Sequence, residues 1–474
     1  MIKENSQKSS KQMKSHQIEQ LQTQSAFDDD QENESRVFEQ QKKNVRYLAF
    51  CYLALFVAFN STQNLVSTLF KQQGFQYLGL ISLFFIYFFF AISSLFAKTL
   101  IGKYSYKHIF PLSSLGYTSF VLSGIWVCSC SNDNQNEGSC SPFMIYFIVI
   151  LCSSLCGICS GTLWVGQGGY MECVFALIKH NKGTISGVFW SIRQSSHLIG
   201  NVSAMIILNT IDNNIYFFIY MGIIALTASG MFYFIATIEK PKRSHHEIKQ
   251  QLLQESTQII RQELPLKEQV SRVLRLMKSL KFQPFLFLNL LSGVAQAFSS
   301  GFLRNLVKES VEGDERIVSQ SLSFVLITFG IFEYLGGVIS GYLINRINVY
   351  YLATISTLAI LLGLLLSFIG LLTKIYAICF LISSIFGFID CYINNISQVI
   401  CNNDYKGFIE VFQAQRLVFA ISNTCTQVIL LLLTDSPEYT FLSIVFIIAL
   451  VSNFIVSLFP ILGQKDHGLS KHSF

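Results

Sequence analysis

Long apolar runs alternate with short polar segments along most of the chain, and this pattern predicts membrane-spanning helices. A helix needs about 20 apolar residues to cross the roughly 30 Å of hydrocarbon in a bilayer. Twelve runs have adequate length, near 47–70, 77–98, 108–127, 143–170, 183–209, 213–237, 283–304, 318–343, 349–372, 375–400, 407–433 and 439–461. The pattern therefore predicts an all-α, polytopic membrane protein with 12 transmembrane helices in contact with membrane lipid.

Polar segments divide this pattern into domains. Residues 1–45 are rich in Gln, Ser, Lys, Glu and Asn without apolar periodicity, which predicts a disordered tail. The polar segment 238–282 separates six runs from six, so we expect an N-terminal six-helix bundle at 46–237 and a C-terminal one at 283–461. A second polar tail follows at 462–474.

The end of the central linker, LKEQVSRVLRLMKSLKF at 266–282, has helical amphipathicity. Val273 and Met277 fall on one face, and Arg272 and Arg275 fall on another. This predicts a basic amphipathic helix, which lies either at the lipid interface or free in solvent as part of the linker.

Composition and charge give an orientation. The chain is 51% hydrophobic and only 13% charged, with a net charge of +6. Most Lys and Arg fall in the tails and in the loops on one side, whereas the other side holds Lys71, Lys308, Arg316 and Lys374. Because cytoplasmic loops are enriched in Lys and Arg, we expect an integral membrane protein with both termini cytoplasmic. The positive charge then reports topology, and no nucleic-acid partner is expected.

The loop at 128–142 falls on the opposite, oxidising side and contains Cys128, Cys130 and Cys140. One disulfide is possible there, with its pairing open. Zinc-binding spacing is absent from the sequence, as are the motifs H-E-x-x-H, G-x-x-x-x-G-K-[ST] and G-x-S-x-G. The sequence therefore predicts neither an enzyme nor a bound metal or cofactor.

The two halves resemble each other in sequence. Gln63–Thr68 in the first run aligns with Gln296–Gly301 in the seventh. KGTISGVFWSIR in the fifth run aligns with KGFIEVFQAQR in the eleventh, which pairs Arg193 with Arg416. The matches share a similar offset, so we expect two pseudo-symmetric six-helix bundles.

Twelve spans in two halves resemble the major facilitator superfamily, and GYLINR at 341–346 is similar to its G-x-x-x-[DN]-R loop signature. The first-half counterpart, Ile101-Gly102-Lys103, lacks the expected acid. AFNSTQNLVSTL, LWVGQGGYM, QSSHLIGN and GFIDCYINNISQ are similar to the uncoordinated-93 branch of that superfamily. The resemblance implies that spans 1, 4, 7 and 10 line a central cavity, around which spans 2, 5, 8 and 11 move.

Polar residues within the spans are the candidate functional residues. An ionised side chain at mid-membrane costs roughly 2.5–3.5 kcal/mol, so such groups should face the protein interior. Arg193, His197 and Asn201 share one face of the fifth span. The candidates for a substrate site or cavity are Asn60, Gln63, Asn64, Gln167, Arg193, His197, Asn201, Gln296, Glu333, Asp390, Asn394 and Arg416. Asn and Gln also serve as hydrogen-bonding contacts between helices, and Trp164 is interpreted as packing.

Two functions are compatible with these features. The first is a carrier that moves a small polar or anionic solute by alternating access. The resemblance implies a second, a non-transporting regulator or trafficking partner of an ion channel or receptor. The shortage of acids within the spans suits the second role slightly better, whereas the arginines suit an anionic solute.

Overall fold

A computed structural model describes residues 2–130, 138–178, 180–211, 213–236, 265–313, 315–405, 408–433 and 437–460. The described chain is all-α, which confirms the predicted class. Twelve long helices are α1 Ile2–Gln72, α2 Leu78–Lys103, α3 Tyr106–Ser129, α4 Pro142–Leu177, α5 Lys182–Thr210, α6 Ile215–Met231, α7 Gln283–Ser310, α8 Glu315–Leu343, α9 Val349–Thr373, α10 Tyr376–Asp404, α11 Ile409–Leu432 and α12 Glu438–Ser457. A shorter helix, Leu266–Lys278, precedes α7 and is called the linker helix.

A helix covers each of the twelve predicted spans, and within the described residues eleven are long and apolar enough to cross a membrane. The remaining helix, α5, has 29 residues but carries Arg193, His197 and Asn201. These three side chains are buried, so the polar content of α5 is enclosed by neighbouring helices. α7 contains one π-helical turn at Phe298–Phe302, a kind of irregularity that often accompanies functional sites.

The N-terminal segment differs from its predicted structure, and the linker helix forms as predicted but differs in what it contacts. α1 continues helical backbone back to Ile2, whereas the composition of 1–45 predicts disorder. Gln, Glu and Lys are good helix formers, and a helix that is already nucleated extends at low cost. The linker helix docks on α2 and α11, and its Val273 is fully buried while Leu274 is exposed. It therefore contacts protein on one face, an option that amphipathicity alone does not reveal. Most of the remaining linker, 237–264, and the C-terminal segment 461–474 lie outside the described residues.

The structure joins Cys130 to Cys140 in a disulfide and leaves Cys128 free. Cys130 lies at the C-cap of α3, and Cys140 lies just before Pro142, where α4 begins. The bridge thus ties the two ends of this loop together. We call this end of the helices the disulfide side and the opposite end, where the linker helix docks, the linker side.

Helix packing in the first half recurs in the second with helix numbers raised by six. α1–α5, α2–α4, α3–α6 and α1–α6 correspond to α7–α11, α8–α10, α9–α12 and α7–α12. The contacts between halves follow the same relation, because α2 packs on α11 and α5 packs on α8.

The α5–α8 contact brings two backbones unusually close. A Cβ added at Gly187 would lie 2.7 Å from Gly341 Cα and 2.9 Å from the Gly337 carbonyl oxygen. Gly337 in turn meets the backbone of Ser191. Glycine at these positions therefore permits a helix approach that any side chain would prevent. We call this contact the α5–α8 seam.

Candidate functional site

A cavity of about 50 Å³ lies between the two halves. Helices α1 to α5 line it from the first half, and α7, α10 and α11 line it from the second. Eight of the twelve candidates contribute to its wall, namely Asn60, Gln63, Arg193, His197, Gln296, Asp390, Asn394 and Arg416. A volume of this size holds a few water molecules. All lining residues except Gln296 and Phe419 are buried, and we call this narrow form of the cavity its closed form.

Arg193 and Arg416 lie against aromatic rings in this cavity. The Arg193 guanidinium carbon is 4.3 Å from the centre of the Phe56 ring and 5.1 Å from that of Trp164. The Arg416 guanidinium carbon is 4.6 Å from the centre of the same Trp164 ring. The indole face of Trp164 thus contacts two cations, one from each half, which is a cation–π arrangement. These are the two arginines that the internal sequence match pairs.

The carboxylate of Asp390 is held by amides. Gln194 Nε2 donates to Asp390 Oδ2, and Asn394 Nδ2 donates to Asp390 Oδ1 at 3.3 Å. Asn394 Oδ1 accepts from Arg416 at 3.5 Å, a long contact. Arg416 therefore reaches Asp390 only through Asn394.

Glu333 is fully buried on α8 behind the cavity wall. Its carboxyl group and that of Asp390 act electrostatically on each other, and its Oε1 is 3.8 Å from His197 Nε2. Among the described residues neither Glu333 oxygen has a hydrogen-bond partner. Arg193 lies near both acids. The charged groups of the site therefore form one cluster that spans α5, α8, α10 and α11.

The remaining candidates hold helices together around this cluster. Asn60 donates to Ser196 at 2.8 Å, and Gln63 donates to Tyr87 at 3.0 Å. Asn201 links the halves, because it accepts from Asn64 and donates to the Leu326 carbonyl oxygen.

Gln167 is also buried away from the cavity wall, and it donates to Gln398 across the two halves at 2.9 Å. Trp190 donates to the same Gln398 oxygen, also at 2.9 Å. Four candidates thus lie outside the wall: Asn64, Gln167, Asn201 and Glu333.

Sequence reasoning missed three groups that the structure places in this region. Gln194 follows Arg193 directly, so it does not lie on the helix face that Arg193 and His197 share. It still contacts the site, because helices pack around α5 on several sides. Trp164 and Trp190 stack at 5.7 Å between ring centres with an angle of 5° between the rings. A tryptophan in a span is most often a packing residue, and the sequence analysis interprets Trp164 in that way. Its contact with both arginines depends on tertiary structure, which that interpretation does not include.

Polar contacts between the halves concentrate on the linker side. Lys98 Nζ is 2.6 Å from Glu410 Oε1, and Gln413 donates to the carbonyl oxygens of Ser94 and Leu95. Across the seam, Asn345 accepts from the Gly183 N–H at the start of α5 at 3.1 Å. The halves are therefore closed together at this end. Among the described residues, no group of three or more His, Cys, Asp or Glu is placed to hold a metal ion.

The family model described as Major Facilitator Superfamily matches residues 48–432, which includes every helix that lines the cavity. This match extends from the first predicted span through the eleventh.

Three relatives share the UNC93 name. Protein unc-93 homolog A of Bos taurus is 28% identical over 35% of this chain and 34% of its own length. UNC93-like protein 3 of Arabidopsis thaliana is 26% identical over 35% of this chain and 33% of its own length. UNC93-like protein MFSD11 of Xenopus tropicalis is 26% identical over 43% and 44%. The matched segments thus span less than half of each relative's length, and they indicate distant homology.

Proposed function

The chain belongs to the major facilitator superfamily, and from this premise we propose that it carries a small polar or anionic solute across a membrane by alternating access. The observation that supports this most is the closed cavity between the halves, with Arg193 and Arg416 in its wall. The superfamily is generally not enzymatic, which confirms the prediction that the chain is no enzyme. It is also a family of polytopic membrane proteins, so most of these helices contact lipid.

We propose further that the twelve long helices form two related six-helix bundles, 46–237 and 283–461. The recurrence of helix packing with a shift of six supports this. In the closed form the cavity holds only a few waters. A solute can therefore enter only when contacts between the halves, at α2–α11 or at the α5–α8 seam, separate on one side.

The proposed orientation places both termini and the linker helix in the cytoplasm. The Cys130–Cys140 disulfide supports it, because disulfides persist in oxidising compartments and the disulfide side is opposite to the linker side. The basic loops on the linker side support the same orientation.

The test is solute flux into vesicles that contain only the purified chain. Labelled anions, cations and neutral solutes of similar size are compared, and Arg193→Ala is compared with Ile355→Ala, a change at an exposed position of α9. A carrier shows flux of at least one class that Arg193→Ala abolishes and Ile355→Ala preserves. Flux that survives Arg193→Ala contradicts the assignment of the cavity.

The second candidate is a non-transporting regulator or trafficking partner of an ion channel or receptor. The α5–α8 seam favours it, because backbones in direct contact resist the separation that transport needs. Absence of flux for every class, together with a defined channel or receptor that forms a stoichiometric complex with the chain, would support this role.

A further inference from the structure

We propose that the cavity binds a monoanion, namely a small carboxylate with an aromatic body, whose carboxylate lies between Arg193 and Arg416. This inference rests on the proposed function only in using the same cavity, because it concerns binding and not movement. Three independent features carry it: the net charge of the cluster, the free donors of the arginines and the aromatic wall.

The charge cluster has one positive charge in excess. Arg193 and Arg416 contribute two positive charges. Asp390 and Glu333 are both buried and act electrostatically on each other, and two buried carboxyl groups in one cluster share a proton because their like charges repel. They therefore contribute one negative charge. We count His197 as neutral, because it is buried on the helix face that carries Arg193, and burial beside a cation disfavours a second cation. A ligand with a single negative charge balances this cluster, whereas a neutral ligand or a dianion does not.

The two guanidinium groups have hydrogen-bond donors to offer. A guanidinium carries five N–H donors in a fixed fork. Nε of Arg193 and Nε of Arg416 are buried without a partner among the described residues. Within that part of the chain neither arginine forms a salt bridge, and Asp390 accepts hydrogen bonds from Gln194 and Asn394 instead. A buried donor without a partner costs free energy, and a carboxylate is the acceptor whose two oxygens fit this fork.

Besides the two arginines, aromatic rings make up half of the lining residues, and amide, hydroxyl, imidazole and carboxyl side chains make up most of the other half. Rings of α1, α2, α3, α4, α5 and α11 line the cavity, from Phe56, Phe59, Tyr87, Phe90, Tyr117, Trp164, Trp190 and Phe419. Aromatic walls favour a flat apolar ligand by edge and face contacts.

The experiment is calorimetric titration of the full chain in lipid nanodiscs with three probes that share a benzene ring. Benzoate is the monoanion, benzamide is its neutral isostere and isophthalate is the dianion. We expect benzoate to bind at least about tenfold more tightly than either of the others. Tighter binding of benzamide or isophthalate, or no binding of benzoate, overturns the proposal without any variant.

Variants then test the charge count. Arg193→Gln and Arg416→Gln should each weaken benzoate binding about tenfold or more, since each removes a charge-assisted contact. Arg272→Gln is the matched control, because Arg272 lies on the exposed face of the linker helix and pairs with Glu268. Its benzoate affinity should equal that of the wild type. Equal losses in all three variants contradict a site at the cavity.

Removal of both acids raises the excess to two positive charges. Asp390→Asn combined with Glu333→Gln should therefore reverse the preference, so that isophthalate binds more tightly than benzoate. An unchanged preference in a folded double variant overturns the charge count.

Failure of this inference can be distinguished from failure of the carrier proposal. Benzoate that binds but does not enter vesicles supports this inference and contradicts the carrier proposal. Flux of a neutral solute without benzoate binding supports the carrier proposal and contradicts this inference.

Discussion

The α5–α8 seam gives a prediction whose magnitude follows from distances. In Gly187→Ala the new methyl group would lie 2.7 Å from Gly341 Cα and 2.9 Å from the Gly337 carbonyl oxygen. Both contacts are with backbone atoms, which cannot rotate away as a side-chain end would. The two helices must therefore move apart by about 1 Å to restore ordinary van der Waals distances.

Two opposing effects set the size of the change. Overpacking of a tight contact costs about 1–3 kcal/mol. Replacement of glycine by alanine within a helix stabilises the helix by roughly 0.5–1 kcal/mol. A gap of 0.5–1 Å also removes about a quarter to a half of each dispersion contact along the seam, including those at Ser191 and Leu198. We expect Gly187→Ala to lower stability by about 1–2 kcal/mol.

Gly230→Ala is the matched control. Gly230 lies near the end of α6, and a Cβ there meets nothing within 4 Å. Its substitution should raise stability slightly, by up to about 1 kcal/mol. The assay is the fraction of detergent-purified protein that stays monodisperse after heating. The two variants should shift the midpoint temperature of this heating curve in opposite directions. A midpoint temperature for Gly187→Ala at or above that of Gly230→Ala would contradict the close packing of α5 on α8.

Three further outcomes follow from contacts outside the cavity, each measured by the same heating assay. Cys130→Ser should cost about 3 kcal/mol, because it opens a short disulfide loop with a sequence separation of 10, whereas Cys128→Ser should cost much less. Lys98→Met should cost about 1 kcal/mol because its acidic partner is buried, while Lys374→Met, in an exposed pair, should leave the midpoint unchanged. Asn345→Ala should cost about 1 kcal/mol, as for loss of a helix cap. A larger loss in either control than in its partner would contradict these assignments.

The features that the sequence predicted well are those with a simple period or composition. Apolar runs of spanning length gave the helices, and the internal match gave the pairing of Arg193 with Arg416, which the structure brings to one indole ring. Family membership is confirmed by the match over 48–432. The role of the candidate residues stays a prediction, although eight of them line one cavity.

The features that escaped prediction depend on which neighbours surround a helix. Gln194 was not among the candidates because a single polar stripe, that of Arg193, His197 and Asn201, was assumed for α5, yet α5 packs on helices of both halves. The docking of Val273 depends on a groove between α2 and α11 that no local pattern encodes. The choice of Cys140 as the partner of Cys130 depends on where α3 and α4 end. Each is a fact of tertiary packing, which periodicity does not contain.

The stacked tryptophans have a practical consequence. The chain has three tryptophans: Trp164 and Trp190 line the cavity, and Trp126 is 40% exposed on the outside of the helices. Indole emission shifts to longer wavelength when water reaches the ring. With Trp126 replaced by Phe, and with excitation at wavelengths that indole absorbs and tyrosine does not, the fluorescence originates at the cavity, next to both guanidinium groups. The emission wavelength of the unlabelled protein would then show, in real time, when water enters or leaves the cavity.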